Sequence, residues 1–180
     1  MDVQRSLDLF EIGPGKVPRI KLAMWWIVQN SIFVFFGTPN WIRVFCLKAF
    51  GAKVGTNVLV RHGVKIHFPW NLVIGHSCWV GERVWFINHF PIHIGSNVCI
   101  SQDSILSSSS HDMYSPSLEY KHAAIEIKDG AWLCLRSTVL AGVTVGLNSV
   151  VSAGEVVRKS IPDNSLYIEN AVRPIKYSYE

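Results

Sequence analysis

At 180 residues, 49% of them hydrophobic and 17% charged, the chain is long enough for one domain with a sizeable core and too apolar for a disordered segment. Its formal charge of +4 permits a phosphorylated ligand or an anionic membrane surface and gives no argument for DNA binding. The four cysteines (Cys46, Cys78, Cys99, Cys134) lack C-x-x-C and zinc-finger spacing, which argues against a disulfide framework and suits buried thiols in a reducing compartment.

The first stretch, MDVQRSLDLFEIGPGK, has neither the charged-then-apolar layout nor the cleavage site of a secretory signal, so a cytoplasmic location is expected. LAMWWIVQNSIFVFF follows at 22–36. These 15 uncharged residues fall short of the ~18–20 that span a bilayer. They read as a helix packed on the protein's own core, or as one lying on the inner membrane face as a peripheral contact. Thr38 and Pro39 look like the N-cap and first-turn proline of a second helix over 40–50, closed by Gly51. Residues 1–53 are thus expected to form a helical cap or membrane-associating segment.

From Val54 an apolar residue recurs every six positions: Val54, Val60, Ile66, Leu72, then Ile74, Val80, Phe86, Ile92, then Ile94, Ile100, Leu106. After a break it resumes at Ile127, Leu133, Val139, Val145, Val151 and Val157. Four residues after most of these stands a small or β-branched residue, such as Val58, Cys78, Ala131 or Ser149. Period six keeps no single face of a 3.6-residue helix buried. It does suit a chain that turns a corner every six residues, three short strands closing one triangular coil. The predicted fold is all-β, a parallel β-helix of about five coils over 54–161. Val54, Ile74 and Ile94 are 20 apart, the extra two residues arriving with an aromatic and a proline in HFPWNL (67–72) and NHFPI (88–92). Gly55, Gly75, Gly95 and Gly146 would stack at one corner, where tight backbone geometry favours glycine. Exposed strand edges at the two ends need caps, supplied by the helices of 20–50 and by the tail within 162–180.

The rhythm stops in ILSSSSHDMYSPSLEYKHAAIEI (105–127), and His111 stands where it stops. The coil opening at Ile94 takes 33 residues, so it carries a protruding loop, set at 107–126.

A hexapeptide prism with one long loop resembles the left-handed β-helix acyltransferases, among them serine, maltose and galactoside acetyltransferases. It is most similar to the exopolysaccharide O-acetyltransferases of the colanic-acid-biosynthesis type. FGAKVG (50–55), FPWNLVIG (68–75), IGSNVCISQ (94–102), SHDMYSP (110–116) and IKDGAW (127–132) carry the resemblance, which spans about two-thirds of the chain. It implies a homotrimer with acetyl-CoA in the groove between neighbouring prisms, the loop of one subunit reaching over the next, and His111 as general base. Transfer from a thioester to a sugar hydroxyl needs little beyond proximity and a base, and an imidazole with its ordinary pKa near 6.5 suits that task. No nucleophile elbow or Cys–His signature is present, so direct attack in a ternary complex is expected.

The base needs an orienting acceptor: Asp112, Asp103 or a backbone carbonyl. Asn88, 20 residues before Ser108, resembles an acceptor-binding position or is a structural corner residue. Ile87 stands where the family often has Asp. Trp132 resembles the aromatic wall near the thioester, or is an exposed packing residue. For CoA the family pattern maps onto Ala153, with Arg158, Lys159 and Arg173 as phosphate partners and Lys176 as a further one. YIENAVRP (167–174) replaces the usual Gly-Asn-Pro phrase, and Cys134 a usual glycine. A catalytically inactive scaffold or glycan-binding prism is the main alternative. A γ-carbonic-anhydrase-like zinc site, suggested by the H-x4-H of His62 and His67, lacks a third histidine on the matching face, so no metal is expected.

Overall fold

The computed structural model describes residues 17–112, 114 and 120–175; residues 1–16, most of the MYSP part of the loop phrase, and Lys176 lie outside the described residues. Short strands alternate with corners to build a parallel β-solenoid of about five turns with three faces. The first face stacks Lys53–Val54, Leu72–Ile74, Ile92–Ile94, Ile125–Ile127 and Thr144–Val145. The second stacks Leu59–Val60, Trp79–Val80, Cys99–Ile100, Trp132–Leu133, Val150–Val151 and Ser165–Ile168. The third stacks Lys65–Ile66, Trp85–Ile87, Ile105–Ser107, Thr138–Leu140 and Val156–Val157.

The six-residue rhythm is the record of this stacking. Val54, Ile74, Ile94, Ile127 and Val145 lie in register, as do Val60, Val80, Ile100, Leu133 and Val151, and Ile66, Phe86, Leu106, Val139 and Val157. All but Val54 are buried, so each rung adds about 1.5–3 kcal/mol of apolar burial on the rung before it. Outward residues differ by face. The first face shows Lys53, Val73, His93, Glu126 and Thr144, while the second shows Leu59, Trp79, Cys99, Trp132, Val150 and Leu166.

The glycines after the first-face strands do stack, for a reason other than turn geometry. A Cβ on Gly75 would stand 2.6 Å from the carbonyl of Gly95, and one on Gly55 would stand 2.6 Å from that of Gly75. Close coil-to-coil approach selects glycine there. The left-handed backbone is taken two residues later by Asn57, Ser77, Asn97 and Asn148.

Two helices cover the open edge of the first coil. The first is α1, Arg19–Val28, and it runs on into a π-helical turn, Gln29–Phe33. The Trp25 indole donates to Ile66 O at 2.7 Å, and Gln29 Oε1 accepts from Ile66 N at 2.6 Å. The second is α2, Asn40–Ala49. Its Asn40 side chain binds Val58 O and Val60 N, and its buried Arg43 satisfies the carbonyls of Phe33 and Phe35. Edge groups that would otherwise template another chain are thereby paired. Thr38 does not cap α2 as expected: its hydroxyl reaches back to Ile32 O, and Pro39 occupies the N-cap position. Gly51 closes α2 at φ +102°.

At the far end, Ser165–Ile168 joins the second face and turns back as Ala171–Pro174. Glu169 and Asn170 both have positive φ, the geometry of a tight hairpin turn, and their N–H groups are held by the Glu155 carboxylate. This is how the chain turns without the family's Gly-Asn-Pro phrase.

Candidate active site

The extra residues of the third coil leave the prism at the corner between the third and first faces. There Ser108 Oγ donates to Phe90 O at 2.7 Å and accepts from Phe90 N, standing in for a ladder bond around the insertion. One coil earlier Asn88 does the same for Phe68. The expected loop is, at its base, a two-stranded antiparallel ribbon. Ser109–His111 pairs with Tyr120–His122, with His111 opposite Tyr120, and the chain rejoins the prism at Ile125. A ribbon holds His111 off the prism more rigidly than a free loop would.

His111 and Tyr120 lie with ring centroids 4.3 Å apart. Tyr120 stacks on His122 at 5.0 Å and meets His89 at 6.1 Å, and His89 meets His67 at 5.4 Å. His122 also stacks on Phe90. Ser109 Oγ lies 2.9 Å from His89 Nδ1. Burial, then the neighbouring His67, His122 and His111, push the His89 pKa down to about 4. Burial lowers that of His67 as well. His89 is therefore uncharged near neutral pH, and a proton taken up elsewhere in the cluster meets no cation there.

The predicted site residues are not all brought together. Asp112, the residue after His111, is engaged within the ribbon. Its carboxylate binds Lys121 Nζ at 2.9 Å and the Tyr114 N–H at 2.9 Å, and the Lys121 bond holds its pKa below the usual range. Asp103 is spent on a two-point pair with Arg83 at the opposite corner. Asn88 is fully buried; its Oδ1 accepts from Phe68 N and its Nδ2 donates to Phe68 O, the bonding of a structural corner residue. Trp132 is half exposed on the second face, its indole donating to Ser101 Oγ. Ala153, Arg158 and Lys159 are exposed around the last coil, and Arg173 pairs with Glu169 at 2.6 Å. His62 sits near Glu82 and His67 against Trp85, at different corners, and no group of three metal-ligating side chains occurs among the described residues. Sequence reading missed Tyr120, His89 and His122. The 20-residue spacing that pairs Asn88 with Ser108 also pairs His89 with Ser109, a signal that was present; nothing in the period announces the ribbon that brings Tyr120 in.

A parallel β-solenoid whose third coil extrudes a histidine-bearing ribbon defines a class of hexapeptide-repeat transferase. The chain belongs to the hexapeptide-repeat acetyltransferase family. It is 40% identical over 148 residues to WcaF of Escherichia coli (strain K12), named a colanic acid biosynthesis acetyltransferase, covering 81% of this chain and 80% of that protein. It is 30% identical over 125 residues to the galactoside O-acetyltransferase of the same organism, covering 68% of this chain and 62% of that one. Among solved structures, a hexapeptide-repeat acetyltransferase from Vibrio cholerae shares the fold at TM-score 0.79 and 21% identity, covering 88% of this chain and 90% of that one. A galactoside acetyltransferase solved with coenzyme A does so at 0.77 and 23%, covering 88% and 80%. No family model matches the chain.

Proposed function

We propose that this acetyltransferase uses acetyl-CoA to acetylate a sugar hydroxyl during assembly of a cell-surface polysaccharide, with His111 as general base. The His111-bearing ribbon carries the reading: it is where the repeat breaks, and it presents an imidazole beside a cluster in which His89 stays neutral. The hydroxyl proton passes to His111 as its oxygen attacks the thioester carbonyl. The C–S bond breaks, the ester forms, and the thiolate leaving group takes the proton back. No acyl-enzyme is required.

The reading includes a homotrimer. Trp132 lies on the second face, whereas His111 lies off the corner between the other two, so a site using both draws them from different copies. The apolar column of Leu59, Trp79, Cys99 and Trp132, with Trp79 38% and Trp132 47% exposed, is a surface that assembly would cover. Ala153 would let the pantetheine arm approach, and Arg158, Lys159 and Arg173 would meet phosphates. Arg173 would leave an exposed ion pair with Glu169, which costs little.

Contact with the cytoplasmic membrane face is supported by Met24, Trp26, Ile27, Phe35, Phe36 and Trp41, each more than half exposed on the helical cap. Among the described residues no helix is long and apolar enough to cross a membrane.

The test is thiol release from acetyl-CoA with a panel of glycosides, run beside His111→Ala. The variant should bind acetyl-CoA like the wild type and lose about 10²–10⁴-fold in kcat. Equal turnover by both proteins would rule out His111 as the base. Release of the protein without detergent would count against membrane contact.

A further inference from the structure

The helical cap and the histidine cluster share a wall. A groove of about 420 Å³ runs between α1 and the corner residues of the first two coils. Leu22, Ala23 and Trp26 line one side, and His67, Phe68 and His89 the other. The groove is mostly hydrocarbon. Three of its polar side chains already hold a partner: Gln29 Oε1 the Ile66 N–H, His67 Nε2 the Trp85 indole at 3.2 Å, and His89 Nδ1 the Ser109 hydroxyl. Main-chain groups of a docked peptide, or the hydroxyls of a sugar, would find few partners there.

His89 belongs both to this groove and to the ring contacts that lead through Tyr120 to His111. On its other side, the groove borders the outward face of α1, where Ile20, Met24 and Ile27 are exposed. A chain leaving a lipid surface along α1 therefore reaches His89 over a mostly apolar lining, one ring, Tyr120, short of His111.

We propose that this groove holds the hydrocarbon tail of the acceptor, so that the substrate is an amphiphile with its sugar head at His111 and its alkyl or isoprenoid chain along α1. The proposal rests on the sugar O-acetyltransferase reading for the head group, while the tail site stands on its own geometry. Helix α1 is fixed for the purpose by the Trp25–Ile66 and Gln29–Ile66 bonds, which leave the gap between helix and corner open rather than collapsed.

The experiment uses the full chain with methyl, octyl and dodecyl maltosides, each below its micelle concentration. Binding is followed by calorimetry, and acetyl transfer by thiol release. Dodecyl maltoside should bind at least about tenfold more tightly than octyl maltoside, because four further methylenes leave water. Ala23→Phe puts a ring into the groove from an exposed helix position and should abolish that difference. Ile27→Ser lies outside the groove and should keep it. Equal affinity for the two alkyl lengths, or loss of the difference in Ile27→Ser but not in Ala23→Phe, would overturn the groove and leave it as a surface covered by another copy of the chain. Chain-length-dependent binding without acetyl transfer to any glycoside would retain the groove and count against the sugar O-acetyltransferase reading instead.

Discussion

Asn88 grips Phe68 at two points, accepting from its N–H at 3.0 Å and donating to its carbonyl at 2.6 Å across 20 residues of sequence. The carboxamide thereby supplies the rung of inter-coil bonding that the inserted residues at this corner would otherwise break. Both Phe68 groups are buried, so losing the partner leaves them unsatisfied. Asn88→Ala should cost about 2–4 kcal/mol of stability. Asn88→Asp should cost at least as much, since a carboxylate cannot donate to Phe68 O. Thermal unfolding measures the loss. A raised KM for the sugar at unchanged Tm would instead assign Asn88 to acceptor binding.

Gly75 makes a second test of how the coils meet. A Cβ there would press on the Gly95 carbonyl, which is backbone and cannot swing away. Gly75→Ala should therefore destabilise by about 1–3 kcal/mol by overpacking. Gly154 has φ +75° but nothing within 4 Å of an added Cβ, so Gly154→Ala should cost only the left-handed backbone penalty of about 1–2 kcal/mol. Denaturant titration of the two variants separates steric from conformational selection of glycine.

The inward stacks were legible because every coil repeats the same burial demand, so the pattern is written six-residue block by six-residue block. The capping role of the first helices followed from the same logic, since an open coil edge must be covered. What the period does not encode is anything that leaves the prism. The ribbon depends on pairing His111 with Tyr120, nine residues away in sequence and off the six-residue count. Nor could spacing reveal that Asp112 would turn to Lys121, or that Asn88 would be consumed by Phe68, because side-chain partners at corners are chosen by local geometry. The π-helical turn at Gln29–Phe33 was hidden for a similar reason: its register serves the Gln29–Ile66 bond, a tertiary contact.

The histidine cluster gives the protein a pH-dependent stability. His89 titrates near 4 in the fold, against about 6.5 in an unfolded chain. Between those values the unfolded state binds more protons, so stability falls as pH drops from about 6.5 toward about 4. His67, also lowered by burial, acts in the same direction. The carboxylates of Glu82 and Asp103 are held low by Arg61 and Arg83, so their contribution is lost only at more acidic pH. A fall in Tm between about pH 6.5 and about pH 5 should therefore belong to the cluster, and His89→Gln should flatten it. A slope unchanged in the Gln variant would assign the effect to His67, the other ring whose pKa burial lowers.

Asp112 is the nearest carboxylate in sequence to the proposed base, yet its bonds run across the ribbon to Lys121 and along it to Tyr114. Its work is to tie the strand that carries His111 to the strand that carries Tyr120. Asp112→Asn keeps the Tyr114 bond and weakens an exposed ion pair, a change of about 0–1 kcal/mol, so kcat should stay within about fivefold of wild type. Its pH–rate profile should keep the wild-type shape, because the proposed base is untouched. A carboxylate that oriented the imidazole would behave otherwise: its amide would favour the wrong tautomer and lower kcat by orders of magnitude. Tyr120→Ala, which removes the ring packed 4.3 Å from His111, should lower kcat more than Asp112→Asn does, while acetyl-CoA affinity stays the same. Steady-state kinetics of the two variants side by side decides whether packing or charge holds the base, and a larger loss in Asp112→Asn would return the orienting role to the carboxylate.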